Sequence, residues 1–317
     1  MTFSIADIPE FTKPTVAVVT GGTGGIGKVA VRELYNHGAT IYVIARNASK
    51  AEALISEVVD KAKENGGSVT IIKGDHMDLN SIVSAAHEIA EKETKIDILL
   101  NNAGIMMVPY VETSDGYESH LQVNYISHYL LTRLLMPLLQ AAEAPRIINV
   151  SSIAHTGYWR FNFEHPNLKG GIEFFKRGMR YSQSKICNIL FTNKLAKLYP
   201  SILCLSVHPG VIVDTGLMDA MIHDKSRFGY MRLFARINVW FGRKLGSTIE
   251  QGALTSIYCA VDKGLTAEKN NGEYYVPIAK KAVSSSTTRN PVTIDRLWDW
   301  TEEQLISKGY WPKNETA

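Results

Sequence analysis

Cysteine is scarce in this sequence, and the spacing of the few cysteines is typical of neither a disulfide framework nor a metal site. The three cysteines, Cys187, Cys204 and Cys259, lie far apart and form no C-x-x-C pair. An odd, scattered set of this kind indicates buried thiols in a reducing compartment. The nine histidines form neither H-x-x-x-H nor H-E-x-x-H, so we expect no metal site.

Long apolar runs and a strong charge of one sign are missing as well. No uninterrupted apolar run is long enough to cross a bilayer, and the first residues, MTFSIADIPEFTKP, carry acids and prolines where a signal peptide needs an apolar stretch. The formal net charge of +3 is too small to imply nucleic-acid binding. The last residues, NETA, carry no peroxisomal or ER address. We therefore expect a cytoplasmic protein that does not bind nucleic acid.

Strand-like and helix-like runs alternate along the chain. The predicted strands are PTVAVV (14–19), TIYVIA (40–45), SVTIIKGD (68–75), IDILLNNAG (96–104), RIINVSS (146–152) and SILCLSVHPG (201–210). The predicted helices are 28–38, 48–65, 79–92, 116–143 and 178–198. This alternation predicts the α/β class, with a doubly wound parallel sheet. In such a sheet the ligand lies beyond the carboxyl ends of the strands.

The segment TGGTGGIGK, from Thr20 to Lys28, joins the first strand to the first helix. A P-loop would need Ser or Thr after Lys28, but Val29 follows, which disfavours nucleotide hydrolysis. At this position the helix amides and dipole can hold a pyrophosphate, and glycine lets the backbone approach it closely. We therefore expect a nucleotide cofactor, with a ligand-free glycine-rich turn as the alternative. The registers G-x-G-x-x-G, G-x-x-G-x-x-G and G-x-x-x-G-x-G all fit.

Two further motifs carry candidate chemistry. NNAG follows an apolar strand and can place backbone amides beside a cofactor, although an ordinary Asn-Gly turn explains it equally well. In YSQSK, Tyr181 and Lys185 are four residues apart and so share a helix face. A neighbouring cation favours the phenolate, so we expect the pKa of Tyr181 to fall towards the working pH. Such a tyrosine can give a proton to a carbonyl oxygen, whereas an ordinary surface pair is the alternative.

Taken in order, the motifs resemble those of the short-chain dehydrogenase/reductases. They are TGGTGGIG, DHMDL, NNAG, QVNYISHYLLT, INVSS, YSQSK and HPG, and they span about residues 14–260. NNAGIMMVP, SSIAH, SKICNILFTNKLAKLYP and LCLSVHPG are similar to the retinol dehydrogenase and WW-domain oxidoreductase branch and its yeast relatives, as is the long separation between Ser152 and Tyr181. The resemblance implies a Rossmann-type oxidoreductase with a nicotinamide cofactor.

The resemblance also implies roles for individual residues. Tyr181 would donate the proton, Lys185 would lower its pKa and hold the nicotinamide ribose, Ser152 would orient the substrate carbonyl, and Asn124 would hold a relay water near Lys185. The opening loop takes the register T-G-x-x-x-G-x-G. The implied cofactor-binding residues are Thr20, Gly21, Gly25, Ile26, Gly27, Arg46, Asn47, Asp78, Leu79, Asn102, Ala103, Gly104, Tyr181, Lys185, Pro209, Gly210, Val211 and Thr215.

Two positions near the site leave alternatives open. The family commonly has Thr five residues after the Pro of its PG motif, but Asp214 stands there and Thr215 follows. Either the loop bulges by one residue or Thr215 does not bind. His155 lies near Ser152 and either lines the substrate site or is an ordinary loop histidine, while His208 is expected to be structural.

The end of the second predicted strand bears on cofactor choice. An acid there would bind the ribose 2′-OH of NAD, whereas a nearby Arg accommodates the 2′-phosphate of NADP. The strand ends in Ala45, Arg46 and Asn47, with no acid. A guanidinium can hold a phosphate through two hydrogen bonds, so we expect NADPH rather than NADH. A surface Arg that faces water is the alternative.

The segment from Gly216 to Lys244 is unusually basic and aromatic. From Lys225 onward it has six cations and no acid, and Phe234 and Phe241 lie on one helical face. It is interpreted as a helix packed on the core or on a second copy, as a lid over an apolar pocket, or as a basic amphipathic segment on a lipid surface.

The expected organisation is a single domain over residues 1–317. Residues 14–213 would form the cofactor-binding and catalytic core, 214–246 the substrate-covering segment and 247–317 the C-terminal completion of the fold. The expected activity is NADPH-dependent reduction of an apolar ketone or aldehyde, or oxidation of a secondary alcohol. A reductase of retinoid- or sterol-like substrates on a lipid droplet and a cofactor-bound sensor without turnover are the alternatives. Homo-oligomers and peripheral membrane contact stay open.

Overall fold

The computed structural model of the chain describes residues 2–59, 67–158, 160–212 and 247–310. Thr215 and the segment from Gly216 to Lys244 lie outside the described residues, and so do both boundaries of the expected substrate-covering segment.

The central sheet contains eight strands within the described ranges. They are β1 (Val16–Thr20), β2 (Thr40–Ala45), β3 (Ser68–Lys73), β4 (Ile98–Asn101), β5 (Arg146–Val150), β6 (Leu203–Val207), β7 (Tyr274–Val276) and β8 (Lys280–Ala282). Their order across the sheet is β3-β2-β1-β4-β5-β6-β7-β8. Strands β1 to β7 are parallel, and β8 pairs antiparallel with β7. The expected doubly wound parallel sheet is confirmed, and the antiparallel edge is an addition.

Helices cover both faces of this sheet. The described helices are α1 (Gly25–Asn36), α2 (Ala48–Val59), α3 (Leu79–Lys92), α4 (Ser119–Leu121), α5 (Ser127–Leu134), α6 (Met136–Gln140), α7 (Glu173–Leu198), α8 (Ile249–Val261), α9 (Ala267–Asn270), α10 (Ser286–Arg289) and α11 (Pro291–Ser307). A π-helical segment, Gln122–Ile126, joins α4 to α5, and 3₁₀ turns occupy Ile5–Asp7 and Ile153–Thr156. Within the part of the chain that the structure describes, no helix is long and apolar enough to span a membrane.

Apolar side chains fill the space on both faces of the sheet. Because successive strand residues point to opposite faces, Val18 and Leu99 join the core beneath α3, α5 and α7. Val19 and Leu100 join the core beneath α1 and α8. All four side chains are at most 1% exposed. A sheet covered on both faces needs apolar residues at every position, which explains why its strands read as continuous apolar runs.

Two helices begin earlier than the sequence predicts. Helix α1 starts at Gly25 instead of Lys28, so its first turn includes the end of the glycine-rich loop. Helix α7 starts at Glu173 instead of Gly178, because Glu173 accepts hydrogen bonds from Arg177 and Arg180 on the following turns. An acid in the first turn also suits the helix dipole.

Candidate active site

The glycine-rich loop between β1 and α1 has four positions at which a side chain would be strained or crowded. Gly21 has φ +65° and Gly25 has φ +50°, in the left-handed region that favours glycine. A Cβ at Gly27 would lie 2.3 Å from the Gly21 carbonyl oxygen. A Cβ at Gly24 would meet no atom within 4 Å. A Cβ at Gly22 would lie 2.9 Å from the side chains of Val31 and Val43. The glycines of the register T-G-x-x-x-G-x-G are therefore constrained, Gly22 is constrained as well, and contact of the loop with a cofactor stays a prediction.

Thr20 ties this loop to the NNAG turn. Its hydroxyl oxygen is fully buried and accepts the backbone N–H groups of Asn102 and Ala103, each at 2.9 Å. In return, the Asn102 side-chain amide donates to the carbonyl oxygens of Thr20 at 2.9 Å and Gly21 at 3.2 Å. The two loops therefore form one hydrogen-bonded unit at the carboxyl ends of β1 and β4.

Asn124 lies in the π-helical segment and holds the chain that leaves the NNAG turn. Its side-chain oxygen accepts the Ile105 N–H at 2.8 Å, and its amide donates to the Ile105 carbonyl at 3.0 Å and to Ser184 Oγ at 2.9 Å. A Cβ at Gly104 would lie 3.2 Å from Asn124 Oδ1 and 3.6 Å from Lys185 Nζ. The side chain of Asn124 therefore positions this backbone, and a relay water on Asn124 stays a prediction.

Helix α7 brings Tyr181 and Lys185 to the end of β5, beside Ser152. Tyr181 lies near Ser152, whose hydroxyl acts to lower the pKa of the Tyr181 phenol, and Ser152 Oγ accepts the Ala154 N–H at 3.2 Å. Lys185 Nζ donates to the Val150 carbonyl at 2.8 Å and lies 5.7 Å from the centroid of the Tyr181 ring. The structure thus brings together the three residues that the sequence placed in a common catalytic role.

The electrostatics of this group differ from the sequence expectation. Burial raises the pKa of Tyr181, and the Ser152 hydroxyl opposes that rise. Burial also lowers the pKa of Lys185 to about 7. The expected fall of the Tyr181 pKa is therefore wrong in direction, because burial disfavours the charged phenolate. Tyr181 is therefore a protonated phenol at neutral pH.

The residues expected at the adenine side lie at the ends of β2 and β3. Arg46 is exposed, and no hydrogen bond or ion pair joins it to another described residue. Asn47 Oδ1 accepts from Ser49 Oγ and from the Lys50 N–H, which caps the start of α2. Asp78 is exposed and caps α3, while the adjacent Leu79 is fully buried.

The turn after β6 holds the next expected contacts. Gly210 has φ +100°, and a Cβ there would lie 3.1 Å from the Pro277 ring. Pro209 precedes it, and the following Val211 is 57% exposed. The turn therefore leaves an apolar side chain in solvent beside the site, and the cofactor contacts of Pro209, Gly210 and Val211 stay predictions, like those of Ile26.

His155 is a positioning residue that the sequence left undecided. It is 2% exposed, and its Nδ1 lies 2.7 Å from the Ser152 carbonyl oxygen. Its Nε2 accepts the Ser285 N–H at 3.2 Å. Burial lowers the pKa of His155, and burial together with His155 lowers the pKa of His208 to about 4. His155 therefore fixes the backbone of Ser152 to the C-terminal part of the chain, and no local pattern announces this contact.

A buried pair behind Tyr181 was missed by sequence reasoning. His120 and Glu118 are at most 1% exposed, and His120 Nδ1 lies 2.7 Å from Glu118 Oε1. The His120 ring meets the Tyr181 ring edge-on, with centroids 6.4 Å apart. The other Glu118 oxygen accepts two amides at the start of α4. The pair thus packs against the ring of Tyr181, and the sequence around it carries no motif that marks this contact.

Comparisons with known proteins agree with this geometry. Residues 15–226 match the family described as short chain dehydrogenase. Human retinol dehydrogenase 12 is 36% identical over 293 residues, which cover 92% of this chain and 86% of the relative. The short-chain dehydrogenase/reductase drtF of Aspergillus calidoustus is 36% identical over 318 residues, which cover 93% of this chain and 96% of the relative.

Structural similarity extends over nearly the whole chain. The crystal structure of an uncharacterized protein from Mycobacterium paratuberculosis is 27% identical and superposes with a TM-score of 0.71, covering 96% of this chain and 97% of the other. The resemblance inferred from the motifs is thereby confirmed. This chain belongs to the short-chain dehydrogenase family, in its retinol dehydrogenase branch, and is an NAD(P)-dependent oxidoreductase.

Proposed function

We propose that this protein is an NADPH-dependent reductase of apolar ketones or aldehydes, which also oxidises the corresponding alcohols. The convergence of Ser152, Tyr181 and Lys185 at the carboxyl edge of the sheet, beside the glycine-rich loop, carries this proposal. The nicotinamide cofactor supplies the hydride when bound. The protein holds the cofactor, orients the carbonyl and moves the proton.

The residues at the edge of the sheet fit a dinucleotide. A Cβ at Gly21 would lie 2.8 Å from Ala103 Cα, and a Cβ at Gly27 would lie 2.5 Å from Asn102 Nδ2, so these glycines keep a backbone cradle open. The first turn of α1 presents amides and a positive dipole end that favour a pyrophosphate. Lys185 would hold the nicotinamide ribose, and Arg46 the 2′-phosphate.

The pKa directions favour the reductive half of the reaction. Reduction of a carbonyl needs a protonated donor, and the raised pKa of Tyr181 keeps its phenol protonated at neutral pH. Ser152 Oγ already accepts one N–H, so its own hydrogen is available to the Tyr181 oxygen or to the substrate carbonyl. A protonated Tyr181 and a donating Ser152 would together polarise the carbonyl as it accepts the hydride.

An apolar substrate is supported by the site's surroundings and by its relatives. Ile153 directly follows Ser152 and is 48% exposed, and Val211 is 57% exposed after the turn of β6. Exposed aliphatic side chains next to the reacting groups would be covered by an apolar substrate. The names of the related retinol dehydrogenases indicate an apolar alcohol as their substrate, which points the same way.

Replacing the proton donor tests this function directly. Tyr181→Phe should bind NADPH as the wild type does, yet lose about 10²–10⁴-fold in kcat, because a general acid contributes that much. Turnover is measured with NADPH and a panel of ketones and aldehydes, and cofactor binding by fluorescence. Tyr199→Phe, at the C-terminal end of the same helix, is the matched control. A Tyr181→Phe variant with more than half the wild-type turnover would remove Tyr181 from the role. A wild type without turnover on any carbonyl would favour the sensor alternative.

A further inference from the structure

A buried chain of polar groups runs beneath the NNAG turn and joins the cofactor loop to the π-helical segment. His128, at the start of α5, is 2% exposed. Its Nε2 lies 2.8 Å from Thr20 Oγ1, and its Nδ1 lies 3.2 Å from the Asn124 carbonyl oxygen. His128 therefore contacts the side chain of Thr20, which holds the NNAG turn. It also contacts the backbone of Asn124, whose side chain holds the segment that follows the turn.

The number of groups around Thr20 Oγ1 determines which atoms carry the hydrogens in these hydrogen bonds. A hydroxyl has one hydrogen and two lone pairs. Both lone pairs of Thr20 Oγ1 are used, since it accepts the N–H groups of Asn102 and Ala103. Its hydrogen therefore points to His128 Nε2, which must be unprotonated. The Nδ1–H of the same ring then donates to the Asn124 carbonyl.

The surroundings of His128 favour this neutral tautomer. Burial lowers the pKa of His128 well below its ordinary value, and the nearby His76 and Lys185 act in the same direction. The His76 ring packs against it with centroids 4.6 Å apart. An imidazolium would place an N–H against a hydroxyl oxygen whose lone pairs are already taken. A neutral His128 is thus the form compatible with every contact around it.

We propose that His128 is a positioning residue for the nicotinamide cofactor: it accepts the Thr20 hydroxyl hydrogen and thereby directs the Thr20 lone pairs at the Asn102 and Ala103 amides of the NNAG turn. This inference rests on the proposed cofactor contacts of that turn, and is independent of the choice between NADPH and NADH. It assigns His128 no contact with the substrate and no proton transfer.

Without His128 the Thr20 hydroxyl has only a poor alternative acceptor. The Leu100 carbonyl oxygen lies 3.5 Å from Thr20 Oγ1, at the limit of a hydrogen bond. Rotation of the hydroxyl towards it turns a lone pair away from one of the two amides. A buried N–H left without an acceptor destabilises the turn, so cofactor affinity should fall by about tenfold or more.

Substitutions at His128 separate its two contacts. His128→Gln places an amide oxygen near the position of Nε2, which keeps an acceptor for Thr20 and gives up the Asn124 contact. His128→Asn places its amide near the position of Nδ1 and gives up the acceptor. His128→Phe keeps the ring shape and loses both contacts. The dissociation constants of NADPH and NADH are measured for each variant by fluorescence titration, and KM for the cofactor is compared with kcat.

We expect His128→Gln to bind cofactor nearly as the wild type does, and His128→Asn and His128→Phe to bind about tenfold or more weakly. Thr20→Val removes the hydroxyl altogether, so adding His128→Asn, which gives up only the acceptor for that hydroxyl, should cost no further affinity. Thr20→Ser keeps the hydroxyl and should bind cofactor nearly as the wild type does. The KM of the cofactor should rise more than kcat falls. If His128→Phe does not fold, the affinities of His128→Gln, His128→Asn, Thr20→Val and Thr20→Ser still test the role of His128.

Three outcomes would overturn this role. The first is wild-type affinity in His128→Asn, and the second is equal weakening by His128→Gln and His128→Asn. The third is an additive loss in the Thr20→Val and His128→Asn double variant. Wild-type protein that binds cofactor but reduces no carbonyl would overturn the proposed function alone. Wild-type protein that binds neither NADPH nor NADH would overturn both.

Discussion

Arg46 is the residue on which the proposed cofactor choice depends. It follows β2 directly, where the ribose of a bound dinucleotide is expected, and its exposed guanidinium makes no hydrogen bond or ion pair with the described residues. Its five N–H donors are therefore available to a 2′-phosphate. The side-chain oxygen of Asn47, the next residue, already accepts hydrogen bonds at the start of α2. Arg46 is thus better placed than Asn47 to discriminate between the two cofactors.

We expect Arg46→Ala to lower kcat/KM for NADPH by about ten- to a hundredfold, because hydrogen bonds to a charged partner are worth about 1.5–3 kcal/mol. The value for NADH, which lacks the 2′-phosphate, should change little. Lys92→Ala, an exposed cation at the C-terminal end of α3, is the matched control. Equal preference in the wild type, or a similar loss with both cofactors, would contradict the assignment.

At the residue scale, the sequence predicts which side chains lie close together but not the direction of their pKa shifts. Motif order placed Ser152, Tyr181 and Lys185 together, and the structure brings them to the same end of β5. The pKa of Tyr181 was predicted in the wrong direction, because burial is a property of the folded surroundings and not of the Y-x-x-x-K spacing. His128 stands in the motif QVNYISHYLLT, yet its link to Thr20 crosses 108 residues and leaves no local trace.

In the glycine-rich loop, the backbone geometry determines which positions can carry a side chain. We expect Gly27→Ala to lower the thermal unfolding midpoint of the cofactor-free protein, because its Cβ would overlap the Gly21 carbonyl oxygen. Overpacking of this kind costs about 1–3 kcal/mol. Gly24→Ala should leave the midpoint unchanged, since Gly24 is extended and a Cβ there meets nothing within 4 Å. Thermal scans of both variants decide, and equal midpoints would contradict the argument.

At the element scale, strands and strongly amphipathic helices could be predicted, and interruptions could not. The predicted helix 116–143 begins at Ser119, where Glu118 accepts two amides, and changes to a π-helical segment at Gln122. It breaks after Leu134, and Pro137 lies in the first turn of the next helix. The π-helical segment has no local signature in the sequence. Strands β7 and β8 were missed because three residues carry too little periodicity.

Buried histidines make the whole molecule sensitive to acid. Burial lowers the pKa of His76 and, together with His155, that of His208, each to about 4, and it also lowers the pKa values of His128 and His155. In the unfolded chain these groups bind protons near pH 6.5. The unfolded state therefore takes up more protons between about pH 6.5 and about pH 4, and stability falls as the pH is lowered through that window.

We expect the free energy of unfolding in urea to decrease from pH 7 to pH 5, with His76 alone contributing on the order of 2 kcal/mol, because each pKa unit corresponds to about 1.4 kcal/mol. His76→Gln should reduce this pH dependence, whatever it does to stability at pH 7. His87→Gln, an exposed histidine on α3, is the matched control. A pH dependence that is the same in the wild type and in His76→Gln would contradict the prediction.

At the scale of the whole molecule, the fold class and the edge of the sheet that holds the site follow from the alternation of strands and helices. The division into core, substrate-covering segment and C-terminal part stays a prediction, because 213–246 lie outside the described residues. The interpretations of the segment from Gly216 to Lys244 as a lid, an interface or a lipid contact therefore stay open. Contacts between distant parts of the chain, such as Ser285 with His155, could not be read from the sequence.

The hydrogen bond between Tyr310 and Asp115 has a consequence for protein synthesis. Asp115 Oδ2 accepts the Leu79 N–H and the Gln122 side-chain amide, and Asp115 Oδ1 accepts the Tyr310 hydroxyl, from 195 residues later in the chain. The ribosome therefore makes strands β1 to β6 and the glycine-rich loop about a hundred residues or more before the tyrosine that holds Asp115 beside Leu79. A nascent chain can begin to fold during translation, but Asp115 acquires this hydrogen bond only when Tyr310 has left the ribosome.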